Sequence, residues 1–172
     1  LNSKKTCKGI TLIELQIVIG IIAITGAIFF SIEIILNKFQ IDAIGNQIYT
    51  HFALARSEAF KRGVNVSICG SNNGTACNTN NWNDGWLVFT NLNNDYMIDT
   101  NENVLAVKQR INTELTLISD NNNRIDFQAN GQVLAPRTIR VCRPGTTNAW
   151  INIIAVDQSG RITKTTDLGN CL

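Results

Sequence analysis

The stretch ITLIELQIVIGIIAITGAIFFSIEIIL, residues 10–36, decides how the rest of the chain is read. At a helical rise of ~1.5 Å per residue, its 27 residues span roughly 40 Å, longer than a ~30 Å hydrocarbon layer. A secretory h-region is shorter, ~7–15 residues, and is followed by a small-residue cleavage site, and neither is found here. Lys4, Lys5 and Lys8 precede the run with no acid among them, which holds that end in the cytoplasm and sends the remainder outward. A membrane-spanning helix is expected, with a buried core helix as the alternative. Around this run, 172 residues and 19.0 kDa give room for one domain with its own core, but hardly two.

The composition is uneven along the chain. Apolar residues make up 44% and charged residues 16%, which excludes a uniformly disordered polymer. The net charge of +2 hides a split: from Ile10 onward twelve basic residues face thirteen acidic ones. A uniformly basic nucleic-acid binder is excluded by that balance, whereas a local basic patch is not. Within the apolar run Glu14 is the exception, since a carboxylate in lipid is costly and marks a function or a paired partner. If the chain is cut between Gly9 and Ile10, Glu14 lies one turn from a new, positively charged amino terminus. A neighbouring copy can then supply that amine as its partner. The other reading has Glu14 snorkelling to the interface.

The segment Lys8-Gly9-Ile10-Thr11-Leu12-Ile13-Glu14-Leu15, followed by the aliphatic run, resembles the class III leader of type IV pilins and type II secretion pseudopilins. The resemblance implies that a membrane-embedded prepilin peptidase cuts after Gly9 and that the amino group of Ile10 is methylated. It further implies that Glu14 takes part in subunit assembly. Ile10 departs from the Phe usual in that family. The implied organisation is a leader over residues 1–9, a transmembrane and assembly helix over 10–36, and a head over 37–172. The head is expected in the periplasm, on a chain anchored once in the bacterial inner membrane, and afterwards in a pilus or pseudopilus.

The helical pattern continues beyond the run. Ile41, Ile44, Ile48, Phe52, Ala55 and Ala59 recur every three or four positions, an amphipathic stripe. Lys61 and Arg62 suit the negative end of the helix dipole, and Gly63 is a left-handed stop. His51 falls within this helix without a second ligand and reads as an ordinary helix residue. After it, residues 64–69 alternate apolar and polar as in a half-buried strand. Further strands are expected at 86–90, 104–110, 114–118, 124–129, 138–142, 150–156 and 161–165. Asn130-Gly131 is a strong tight-turn signal and Gln158-Ser159-Gly160 a weaker one. The fold class is α+β, a long helix packed against antiparallel sheets.

Removal of the leader takes Cys7 with it and leaves Cys69, Cys77, Cys142 and Cys171, an even number for a compartment outside the inner membrane. Of three pairings the favoured one joins Cys69 to Cys77 across a Gly/Asn loop, and Cys142 to Cys171, pinning the carboxyl terminus to a strand. A zinc site lacks the usual C-x2-C spacing and has a single histidine to draw on. Within the pilin-like group, residues 53–59, Lys61-Arg62-Gly63, the strand ending in Cys69, Trp82, and Gly85-Trp86-Leu87-Val88-Phe89 are similar to the GspH/FimT family. So are Ile125, Phe127 and Gly131, the strand ending in Cys142, and Ser159-Gly160-Arg161. This resemblance covers practically the whole chain and implies a minor pilin or pseudopilin whose partners are other such subunits.

No nucleophile and base are paired in the sequence, so no enzyme is expected. No cofactor is expected either. Residues 91–102 carry oxygen side chains at Asn91, Asn93, Asp95, Asp99 and Glu102, as an EF-hand loop does, but Tyr96 stands where that loop needs glycine. The competing reading is an acidic hairpin tip. Residues 69–123 are acidic by four charges and residues 124–172 basic by three. Arg137, Arg140 and Arg143 recur around one strand, and the Cys142–Cys171 link is expected to hold Arg161 and Lys164 beside it. Such a cluster tracks a phosphate backbone without reading bases; an ordinary solvated face is the alternative. The FimT resemblance implies DNA capture during uptake through a Gly-Arg-x-Arg pattern. Here Gly160-Arg161 matches, Thr163 replaces the second arginine, and Lys164 follows one place later, on the opposite face of a strand. The alternative assignment is a GspH-like pseudopilin of a type II secretion system, binding no nucleic acid.

Overall fold

The structure is a computed structural model. It describes residues 10–95, 97–111, 114–120, 124–145 and 149–171, with the backbone alone for 27–34. Gly9 and the rest of the leader, and Tyr96, lie outside the described residues. The chain divides into two units, Leu1–Phe39 and Gln40–Leu172.

The first unit holds the beginning of helix α1 (Leu12–Arg62). Thr11 precedes it as a cap: its Oγ1 accepts the Glu14 N–H at 3.3 Å, and its carbonyl accepts the Leu15 N–H at 3.1 Å. Glu14 in this first turn meets the positive end of the helix dipole. Ile10, Leu12, Ile13, Leu15, Ile17, Val18, Ile19, Ile21, Ile22 and Ile24 are all exposed. Among the described residues no helix is long and apolar enough to cross a membrane. The side chains of 27–34, in the second half of the apolar run, are not among them.

In the second unit the expected stripe is the core. Ile41, Ile48, Phe52, Ala55 and Ala59 are buried, with Ile44 packed beside them. The helix ends at Gly63, whose φ of +66° is the left-handed conformation and whose N–H reaches the Ala59 carbonyl at 2.9 Å.

Among the described residues eight strands follow: β1 (Val66–Gly70), β2 (Gly85–Thr90), β3 (Val104–Gln109), β4 (Thr116–Ser119), β5 (Arg124–Phe127), β6 (Arg137–Cys142), β7 (Ala149–Val156) and β8 (Ile162–Gly169). They form two antiparallel sheets, ordered β3-β2-β1-β5 and β4-β6-β7-β8. Val66, Ile68, Trp86 and Val88 of one sheet join Ile139, Val141, Ile154 and Val156 of the other and the helix stripe in one core.

β1 corrects the sequence reading, for it is buried at every position rather than on one face. Its far side lies under a second cluster of Cys69, Leu87 and Phe89, roofed by Cys77 and Ile98. Ser67, a polar position in the alternation, is buried there and donates to Asp126 Oδ1 at 2.6 Å while accepting from Asn91 at 2.9 Å. β8 also runs four residues past its expected end.

Both disulfides are present, Cys69–Cys77 and Cys142–Cys171. Sheet and helix are pinned by one buried polar side chain. Asn152 on β7 donates to the Ile41 carbonyl and to Asp42 Oδ1, each at 3.0 Å, and accepts from Thr166 on β8 at 2.8 Å. A Cβ at Gly45 would lie 2.5 Å from the Asn152 amide, so glycine there permits the approach.

Candidate functional site

The five basic residues singled out around β6 and β8 do not converge on one surface. β7 lies between β6 and β8, so the tail is one strand removed from the arginine strand although Cys142–Cys171 joins their ends. Within β6, Arg140 shares the face opposite the core residues Ile139 and Val141, and its register neighbour on β7 is Ile153. Arg137 instead lines a cavity of about 180 Å3 with Arg124, Asp126 and Leu134, and its guanidinium bonds the Pro136 carbonyl at 3.1 Å. Arg143 pairs with Glu114.

The strand alternation decides the fate of the tail. Lys164 points inward: its ammonium donates to Asn46 Oδ1 at 2.6 Å and lies 3.5 Å from Asp42, and its side chain is only 21% exposed. It clamps β8 to α1. Arg161, just before that strand, is 74% exposed and loosely accompanied by Asp157, with 3.9 Å between Nε and the carboxylate. Asp157 is engaged by its own turn. The Ser159 hydroxyl and the Arg161 N–H donate to it at 2.6 and 2.9 Å, and these bonds hold its carboxyl below the usual range.

Arg161 lines a cavity of about 490 Å3, together with Tyr49, Ala53, Arg56, Phe60, Asn130 and Gly131. Two glycine turns meet beside it, and Gly131 of the first lines it. Gly131 (φ +75°) closes on Gln128 at 2.7 Å and Gly160 (φ +76°) on Asp157 at 2.8 Å. The turns press together so closely that a Cβ on Gly160 would lie 1.8 Å from the Gly131 carbonyl oxygen. Arg56 reaches over both and donates to the Ser159 carbonyl at 3.2 Å. Three separated pieces of sequence (residues 53–59, Gly131 and Ser159–Arg161) therefore meet at one place. Arg56, Tyr49 and Phe60 are the residues the sequence reading passed over. Their signal was the 4, 3, 4 spacing of Tyr49, Ala53, Arg56 and Phe60 along a helix face other than the core stripe.

The loop at residues 91–102 is closed on itself. Glu102 is buried, and its two carboxylate oxygens accept the N–H groups of Leu92 at 2.6 Å and Asp99 at 3.2 Å. Asn93 donates to Asp95 and Asp99 at 2.8 and 3.0 Å. Ile98 packs the loop onto the sheet. Among the described residues no group of three or more His, Cys, Asp or Glu side chains is arranged to hold a metal ion.

Known proteins bear on the fold and on the family. The family model described as type II transport protein GspH matches residues 45–160. The crystal structure of the type IV minor pilin FimU of Pseudomonas aeruginosa superposes with a TM-score of 0.60 at 20% identity, over 74% of this chain and 90% of that one. In a second crystal form the values are 0.57 and 21%, over 72% and 91%. The minor pseudopilin EpsH from the type 2 secretion system of Vibrio cholerae gives a TM-score of 0.49 at 12% identity, over 73% and 95%. No curated protein matches the chain significantly.

Proposed function

Because the chain belongs to the GspH family of type II transport proteins, we propose that it is a minor pilin-type filament subunit, with a structural and binding role and no catalysis. The prepilin peptidase cuts it between Gly9 and Ile10, and it waits in the inner membrane on residues 10–36. It then enters a filament of other pilins or pseudopilins through the same apolar residues. The observation that carries this reading is the row of exposed aliphatic side chains from Ile10 to Ile24. Ten large aliphatic groups in water are unfavourable by roughly 1.5–3 kcal/mol each relative to burial, so lipid or neighbouring helices must cover them. Glu14, inside that row, pairs with the Ile10 amine of a neighbour. The membrane stage rests on the sequence of the run.

The finer part of the proposal is DNA capture, of the kind associated with FimT-like subunits. Arg161 supports it through its exposure and its place beside Arg56. Arg140, on the outer face of its sheet, is the second phosphate contact. Lys164, Arg143 and Arg137 have other attachments and contribute less. Arg161→Gln is expected to weaken duplex binding alike at every sequence and to lower the salt slope by about one. Gel-shift titrations across a salt series measure both, and unchanged affinity and slope would remove Arg161 from the reading.

The pseudopilin reading, with no nucleic acid bound, draws on a specific observation as well. The pairing of Lys164 with Asp42 and of Arg143 with Glu114 lowers the charge of the region. Absence of duplex binding by the unsubstituted protein at low salt would decide for it.

A further inference from the structure

A phosphate contact needs only a guanidinium, yet the cavity beside Arg161 offers more. Phe60 is 73% exposed on the outer side of α1, and Tyr49, eleven residues earlier on the same helix face, is 39% exposed. Between them Ala53 leaves the face hollow, and Asn130 and Ile162 stand across from it. A helix that already buries a full stripe gains little for its own fold from a phenyl ring left as exposed as that of Phe60. Rings beside guanidinium groups are the elements with which proteins hold unpaired bases: any base stacks on an aromatic face, and its phosphate meets the cation. Arg56 has no carboxylate partner among the described residues, and its bond to the Ser159 carbonyl fixes it at the rim. The volume of about 490 Å3 lies within the ~300–1,000 Å3 range of small-ligand pockets.

We propose that this cavity takes one unstacked nucleotide of a single strand, its base against Phe60 or Tyr49 and its phosphate between Arg56 and Arg161. This rests on the nucleic-acid reading of Arg161 and specifies it further. Duplex DNA keeps its bases stacked and can use only the cations, so a single strand gains what a duplex of the same charge cannot. Asn130, whose amide is closed on Gln132 by two hydrogen bonds of 3.0 Å, lines the cavity without reading a base.

The test uses the full chain in detergent and measures fluorescence anisotropy with three probes: an oligothymidylate, a duplex of equal length, and an oligomer of abasic sites with the same phosphate count. The single strand is expected to bind more tightly than the abasic strand, and Phe60→Ala to weaken it by on the order of tenfold without changing the salt slope. Phe60→Leu, which keeps the apolar bulk and loses the ring, is expected to behave like Phe60→Ala. Because Phe60 is exposed, neither change touches the core. Equal binding of base-bearing and abasic strands, with duplex still bound, would overturn the stacking site and leave the phosphate reading standing. No binding of any probe at low salt would overturn both. If Phe60→Ala spares every affinity but removes the protein from filaments, the cavity belongs to a partner subunit and the proposal is wrong.

Discussion

His51 has a task that its surroundings in sequence do not announce. The Trp86 indole N–H donates to its Nδ1 at 2.8 Å, and the two rings meet edge to face. An imidazole can accept there only while neutral. Burial, and after it the charge of Lys108, hold its pKa below the ordinary histidine value. The unfolded chain therefore binds a proton at higher pH than the folded one. The stability this contributes is complete above about pH 6.5 and is lost as the pH falls through that value toward the folded pKa. Urea midpoints between pH 7.5 and 5 are expected to fall more steeply for the unsubstituted protein than for His51→Gln, which keeps an acceptor without titrating. Equal slopes would show that the bond carries no such linkage. Trp86 lies 35 positions from His51, and Asp42 more than a hundred from Lys164, so neither pairing leaves a trace in local spacing. The class of each residue was legible; its partner was not.

Elements were legible to different depths for the same physical reason. The stripe from Ile41 to Ala59 follows the helical period, which is set by local geometry, and every one of its members packs into the core. Each of the eight described strands overlaps an expected one. The order of the strands is not legible, because it depends on pairings that no period encodes; hence β7 separates Arg140 from the tail that carries Arg161. The alternation in β1 suggests one buried face, but polar loops supply a roof, through Cys77 and Ile98, that buries the other as well. The cysteine pairing was legible, since only one arrangement closes a short loop and ties down the tail. The two bridges close loops of unequal length, 8 and 29 residues apart in sequence. Chain entropy assigns about 2.5 kcal/mol to the first and about 3.6 kcal/mol to the second. Replacing Cys142 and Cys171 together by Ser is thus expected to lower the urea-derived stability more than replacing Cys69 and Cys77. The reverse order would mean that the short loop matters by covering Leu87 and Phe89 rather than by closure.

At the scale of the molecule, the chain has two regions with opposite needs. Gln40–Leu172 satisfies its apolar side chains internally, with a helix stripe, two sheets and two disulfides around one main core. The described aliphatic side chains of residues 10–24 are left exposed, and the polar side chains among them are Thr11, Glu14 and Gln16. A glutamate in such a row has a physical rationale if a cleaved neighbour brings an amine to it. That in turn requires the bond after Gly9 to be cut. The amino terminus of the protein in sheared, purified filaments, read by mass spectrometry, tests this most directly. A chain present in the filament fraction and beginning at Ile10 is the predicted result; a chain that keeps Lys8 and Gly9, or is missing from filaments in cells that express it, contradicts the account.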